Sequence, residues 1–253
     1  MSERVLTPEN QKHLAEAEMF KAQAAHFAAE AKLKAATTRR ALADAKSAEY
    51  HAETARISAE SALRQEKINL TSNHHHKEFW FNDGVDEASV GDCAAQLAVW
   101  HRLEPSCPMT VKINSPGGLM FEGMYLFDDI SAYSLREWDT RPLPKGTHHT
   151  TVIGRGMAAS MGGILLQAFD TRIVGPECWI LIHEVSTLVG GKLSEIKDEA
   201  KFLDKACDRI TELFVRRSGG KITKTTFKRK WDGKEWWLSS QEAFDYGFVD
   251  AIG

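Results

Sequence analysis

Hydrophobic and polar positions divide the chain into two stretches of unlike texture. From about Glu9 to Glu66 the residues are mostly Ala, Glu, Lys, Gln and Arg, without a Gly or Pro, so helix formers run almost uninterrupted. Thr7 followed by Pro8 reads as an N-cap and first helical residue. Large apolar residues are sparse: Leu14, Phe20, Phe27, Leu33, Leu42, Tyr50, Ile57 and Leu63, with no sustained seven-residue repeat. The pattern predicts one long or two shorter alanine-rich helices, with Thr37 and Thr38 as the weak point. Such a segment has little apolar area of its own, so an assembly or docking arm is the expected role.

A polar bridge follows, containing TSNHHHK. His74, His75 and His76 are adjacent and do not converge on one ion by themselves, so surface histidines are expected rather than a metal site. The expected division is a helical extension over 1–70, a linker over 71–77 and a compact domain over 78–253. Beyond Glu78 the periods of strand and helix alternate. EFWF, MTVKIN, TTVIG, TRIVG, CWILIH, WWLS and VDAI read as strands. Helices are predicted over 88–100, 123–134, 159–169, 194–217 and 240–246. In the first of these Val90, Cys93, Ala94, Leu97 and Trp100 share a face. The fold class is α/β, with helices layered on a sheet.

Composition narrows the function. The chain has 253 residues, 26% of them charged, and a formal net charge of -3, which gives no concentrated basic face for nucleic acid. Cys93, Cys107, Cys178 and Cys207 form no C-x-x-C pair, so neither a zinc knuckle nor a dithiol motif is present, and reduced structural thiols are expected. The charged start MSERVL does not suit a signal peptide. The longest later apolar run, 162–166, is far short of the ~20 residues that span a bilayer. A soluble cytoplasmic protein without membrane contact is the expectation.

Candidate chemistry sits in V-I-G-R-G-M-A-A-S-M-G-G. Small residues lead a sharp turn into Ser160 at a helix start, where unpaired N–H groups favour developing negative charge. Met161 offers one such N–H. The glycine turn N-S-P-G-G over 114–118 offers a second, with Gly118 the preferred donor. The residue two before Ser160 is Ala158, so this is not the G-x-S-x-G elbow. His183 ends an apolar strand and can serve as base. For the acid that orients it, Glu235 ranks first, Asp232 second and Glu184 last. No cofactor and no metal are called for.

Five stretches carry a family likeness: V-D-E-A-S at 85–89 leading into A-A-Q-L, I-N-S-P-G-G at 113–118 with G-M-Y at 123–125, A-A-S-M-G at 158–162, I-H at 182–183, and W-L-S-S-Q-E-A-F-D-Y-G-F-V-D at 237–250. Over roughly 79–252 their order and spacing resemble the proteolytic subunit of the Clp protease family. The resemblance implies a Clp-protease/crotonase-like β-α spiral and an ATP-dependent serine endopeptidase. It makes Ser160 the nucleophile, His183 the base, and Gly118 and Met161 the oxyanion donors. The family acid is an aspartate three residues before the leucine of the last strand. Here that position is Glu235, and a one-residue insertion would bring in Asp232 instead. The resemblance also implies homo-oligomeric rings of seven that stack in pairs, with the 194–217 helix at the contact between rings, and an AAA+ unfoldase as partner. Two departures stand out: Glu-Val-Ser follows His183 where the family has Gln-Pro, and the first 70 residues have no family counterpart. Related phage proteins process capsid or scaffold chains, which an alanine-rich arm would suit.

Two other classes use the same features. A crotonase-like acyl-CoA hydratase or isomerase shares the spiral and glycine-loop donors without a serine nucleophile. A catalytically inactive ring subunit would keep the shape alone.

Overall fold

A computed structural model describes residues 7–185 and 190–253. The charged start at 1–6 and Ser186 of the Glu-Val-Ser departure lie outside the described residues. The chain divides into two units, 1–69 and 70–253.

The first unit is essentially helix α1 (Pro8–Leu70), unbroken over 63 residues and without a buried residue. The expected weak point does not break it. Thr37 Oγ1 donates to the Leu33 and Lys34 carbonyls, and Thr38 Oγ1 donates to Lys34. These hydroxyls bond back to the preceding turn instead of diverting the backbone. Local pairs add support, as where Arg56 bridges Glu53 and Glu60 at 2.7 and 2.8 Å.

The second unit is built on a sheet. Strands β1 (Glu78–Phe81), β2 (Met109–Ser115), β3 (Thr150–Ala159) and β4 (Thr171–Val174) run parallel in that order. Strand β5 (Trp179–Ile182) is parallel to the far end of β3, and β6 (Trp236–Leu238) is antiparallel to β5. The short β7 (Ala251–Ile252) pairs with β4. The sheet is thus mixed and forks at β3: Thr151–Gly154 face β4, whereas Met157–Ala159 face β5.

A bulge makes the fork. Between Ile113↔Gly154 and Ser115↔Ala158, β3 advances four residues while β2 advances two. Gly156 sits there at φ 66, where an added Cβ would lie 2.8 Å from Asn114 Oδ1. That oxygen accepts from the Met157 N–H at 3.2 Å, and Asn114 Nδ2 donates to Asn82 at 2.6 Å.

Helices cover the sheet. In α2 (Glu87–Leu103) the buried residues are the five that the sequence pattern placed on one face. Its N-cap Asp86 accepts from the Ser89 N–H at 2.9 Å. Helix α3 (Met120–Tyr133) buries Leu126, Phe127 and Ile130. The helix predicted over 159–169 starts later, because Ala159 is still strand: α4 (Met161–Leu165) gives way to a 3-10 turn over Leu166–Ala168. Helix α5 (Leu193–Arg217) buries residues only in its C-terminal part, Ile210, Thr211, Leu213, Phe214 and Arg217, and leaves Leu193 68% exposed. Helix α6 (Lys224–Trp231) was not foreseen. Its composition is basic, yet it seats Phe227 and Trp231 in the core, with Thr223 as N-cap. Helix α7 (Ser240–Asp245) precedes β7.

Two polar features complete the unit. The Trp100 indole N–H donates to His74 Nδ1 at 3.1 Å, so this histidine fastens the 71–77 bridge onto α2. In the loop between α3 and β3, buried Asp139 accepts from Arg141 Nε and Nη2 at 2.9 and 2.7 Å. The guanidinium holds the Asp139 carboxyl down at about 2.

Candidate active site

Strand β3 ends one residue before Ser160, whose backbone lies at φ 53, ψ -121. For a residue with a Cβ this is a strained conformation, costing about 1–3 kcal/mol. It turns the chain from strand to α4 within one residue. The Ser160 N–H donates to the Leu181 carbonyl of β5 at 2.8 Å, while its own carbonyl accepts from Gly163 and Ile164. The Met161 N–H finds no acceptor among the described residues.

The glycine turn packs directly against this point. Gly117 lies at φ 90, and an added Cβ would come within 2.6 Å of Ser160 Cβ, 2.6 Å of the Ala159 carbonyl and 2.9 Å of Met161 N. No side chain fits there. Gly118, at φ 154, is held to Val85, where an added Cβ would meet the Val85 oxygen at 2.3 Å. Val85 N donates to Gly117 O at 2.9 Å and Leu119 N to Val85 O at 2.7 Å. Gly118 N–H, between them, has no acceptor among the described residues. Two unpaired donors, Gly118 and Met161, therefore come from segments packed around one serine.

His183 follows the last residue of β5 and is half-buried. Ser160, His183, Gly118 and Met161 all line one cavity of about 150 Å³, with Ile164, Val185 and Ile210 among its walls. Of the three candidate acids, Glu184 lines this cavity. Asp232 caps α6 and lines a different cavity, beside Lys228 and Cys207. Glu235 is exposed. The antiparallel register Ile180↔Leu238, Leu181↔Trp237, Ile182↔Trp236, continued by one residue, sets Glu235 opposite His183. No hydrogen bond or ion pair joins His183 to any of the three acids among the described residues. The structure thus gathers the serine, the imidazole, both N–H donors and Glu184 around one cavity, with Glu235 and Asp232 outside its lining.

Competing chemistry has little footing. Cys93 and Cys178 are buried, and burial pushes the Cys178 thiol up to about 11, so it stays protonated at neutral pH. Among the described residues no three His, Cys, Asp or Glu side chains gather as metal ligands, and no helix is long and apolar enough to cross a membrane.

The family model described as Clp protease matches residues 64–253, three quarters of the sequence. The chain belongs to the Clp protease family. Within this family it is similar to the ATP-dependent Clp protease proteolytic subunit 2 of Tropheryma whipplei, 28% identical over 176 residues that cover 68% of this chain and 88% of that protein. It is also similar to proteolytic subunit 1 of Leifsonia xyli, 30% identical over 176 residues, 68% of this chain and 81% of that protein. The proteolytic subunit of Bacteroides fragilis (strain ATCC 25285) is 26% identical over 172 residues, 66% of this chain and 74% of that protein. The Clp protease match begins near the end of α1, so most of that helix lies outside it.

Sequence reasoning missed the walls of the cavity. Met120 and Ile210 line it from α3 and α5. The spacing of Ile210, Leu213, Phe214 and Arg217 marks a helix face, but nothing local says that the face borders Ser160. Gly117 was equally silent, since its need for no side chain arises from a segment more than forty residues away.

Proposed function

We propose that this Clp protease family member is a serine endopeptidase, with Ser160 as nucleophile, His183 as general base and Glu235 as the acid that orients the imidazole. The packing of Gly117 against Ser160 and Met161 carries this reading. It brings two N–H groups, unpaired among the described residues, beside a serine hydroxyl, which is the arrangement an oxyanion requires.

Chemistry follows from the placement. The Ser160 hydroxyl adds to the scissile carbonyl carbon as His183 takes its proton, and the resulting oxyanion accepts from Gly118 and Met161. The C–N bond then breaks as the imidazolium gives that proton to the departing amine, leaving an acyl-serine. Water, deprotonated by the same imidazole, releases the acid and restores the hydroxyl. A glutamate at position 235 performs the aspartate's task with one more methylene to span.

Around this centre the β-α spiral, with its forked sheet, is read as the family fold, and 78–253 as the peptidase domain behind a helical extension (1–70) and a linker (71–77). Exposed apolar residues on the outer part of α5, Leu193 (68% exposed) and Ile196 (40%), favour contact between copies in a stacked ring of seven. Substrates would be unfolded or scaffold-like chains, delivered by an ATP-driven unfoldase or met during capsid assembly. Labelling by a fluorophosphonate, lost in Ser160→Ala, tests the assignment. An unlabelled protein that turns over acyl-CoA thioesters would point to the hydratase class instead.

A further inference from the structure

The cavity at Ser160 is one end of a longer feature. Its walls include Met120 and Ile210, which also line a largely apolar cavity of about 260 Å³. That one shares Met124, Asp128 and Arg209 with a third cavity of about 520 Å³, between α3, α5 and the loop that follows α3. From Met120 to Ala132, helix α3 rises about 18 Å, the reach of about five extended residues.

The far cavity is lined by four arginines, Arg136, Arg141, Arg209 and Arg216. Arg141 is bound by Asp139, whose Oδ1 lies 3.9 Å from Arg216 Nε, beyond hydrogen-bond reach. Arg136 and Arg209 have no ion pair among the described residues. Arg136 stands out. Its backbone is held at φ 51 with its N–H on Asp170 Oδ1 at 2.8 Å, and its Nε is buried without a partner. Arg216 Nε is unpartnered in the same way. Left-handed backbone and an unsatisfied buried donor both cost stability, and they mark a side chain positioned for something that the chain alone does not supply.

Charge and floor select the ligand. Glu212 is occupied by Lys224 at 3.3 Å and Asp139 by Arg141, so Arg136, Arg209 and Arg216 face Asp128, a surplus of two positive charges. Phe127, Leu143, Pro144 and Leu213 supply an apolar floor. A free phosphate dianion would match that charge but leave the apolar floor uncovered. A carboxylate carried on a peptide brings one charge with hydrocarbon beside it, and the planar guanidinium matches its geometry.

We propose that this arginine-lined cavity is an exosite that takes an acidic side chain of the substrate polypeptide about five residues from the bond cut at Ser160. It rests on the peptidase reading for its role, though not for its binding. The test uses full-length Ser160→Ala protein and fluorescent peptides of about twelve residues. These carry either Glu or Gln at the fifth position on one side or the other of an apolar cleavage residue. Binding of the Glu peptide is expected to be about tenfold tighter, and the preference to fall as salt is raised. In Arg136→Gln and, separately, in the exposed Arg209→Gln, the Glu/Gln ratio should drop towards one, with Arg136→Lys keeping part of it. In protein with Ser160 intact the preference should appear in KM rather than kcat. Equal affinity for the two peptides, or a tenfold preference that survives in both Gln variants, overturns the exosite. A persistent preference in a protein that cuts neither peptide removes the peptidase reading and leaves the anion site standing.

Discussion

The Ser160 amide donates to the Leu181 carbonyl at 2.8 Å, which ties the backbone of the proposed nucleophile to the strand that delivers His183 two residues later. Parallel strands β3 and β5 end on the same rim, so serine and imidazole enter one cavity from neighbouring strand ends. The hydrogen bond is made by backbone, and it survives substitution of either side chain. Ser160→Ala and His183→Ala should each lower kcat/KM on a fluorogenic peptide by at least about 10⁴ while leaving the melting temperature near that of the parent. Cleavage retained by Ser160→Ala would end the assignment.

Three carboxylates compete for the orienting role, and Glu184, on the cavity wall, is the one ranked last from the sequence. Glu235 continues the β5–β6 register opposite His183, whereas Asp232 caps α6 next to Lys228. Glu235→Gln is expected to cost about 10²–10⁴ in kcat, and Asp232→Asn no more than about threefold. The reverse order transfers the orienting role to Asp232, and two mild losses leave Glu184 or a serine-histidine dyad, which Glu184→Gln separates.

Two glycines make a matched pair. A methyl group at Gly117 would collide with Ser160 Cβ and Met161 N, while at Gly91, in mid-α2, it would meet nothing within 4 Å. Gly117→Ala should therefore lower activity at least about 100-fold, because the second donor is pushed off the oxyanion. Gly91→Ala should leave activity alone and add about 0.5–1 kcal/mol of stability. Denaturant unfolding and peptide turnover on the two variants measure both.

Acid should loosen the loop that closes the far end of α3. Its buried Asp139 has a carboxyl lowered from the ordinary 3.8 to about 2 by Arg141. A lowered folded value favours the native state above the unfolded value, and that contribution disappears as pH falls from about 4 towards 2. Asp139→Asn is expected to cost about 1–2 kcal/mol at pH 7, with the difference from the parent shrinking across that acid window. Urea melts at pH 7, 4 and 2.5 give the comparison.

The helical extension should be separable. Helix α1 contributes no buried residue to any core. Removing residues 1–69 is expected to preserve the near-ultraviolet dichroism and peptide hydrolysis of the remainder, and to change particle size or partner binding. Unfolding on truncation would show that the division into units is wrong.

How legible the fold was depends on how local its causes are. The buried face of α2 was readable because apolar residues recur at helical spacing and Asp86 caps the first turn. Strand β2 was readable from its alternating apolar positions ahead of a glycine turn, and β5 as a short apolar run. Helix α6 was not, since only Phe227 and Trp231 of its eight residues are apolar and buried. Ser160 and His183 could be named from position and resemblance. The left-handed backbone of Ser160 and the demand on Gly117 arise only when distant segments meet, so no local pattern encodes them. The Arg136 environment is of the same kind: Asp170, which holds its backbone, is 34 residues away.

The forked strand also has a bearing on control. Because β3 is laced to β2, β4 and β5 at once, the hydroxyl it carries sits at the end of the most firmly held segment of the sheet. Its amides should be among the last to exchange with deuterated solvent. An effector would gain little by trying to loosen it. The imidazole, hung one residue beyond a four-residue strand and without a hydrogen-bond partner among the described residues, is the softer half of the pair. Switching the proposed peptidase on or off is then expected to work by seating or unseating the imidazole, with the serine held in place throughout.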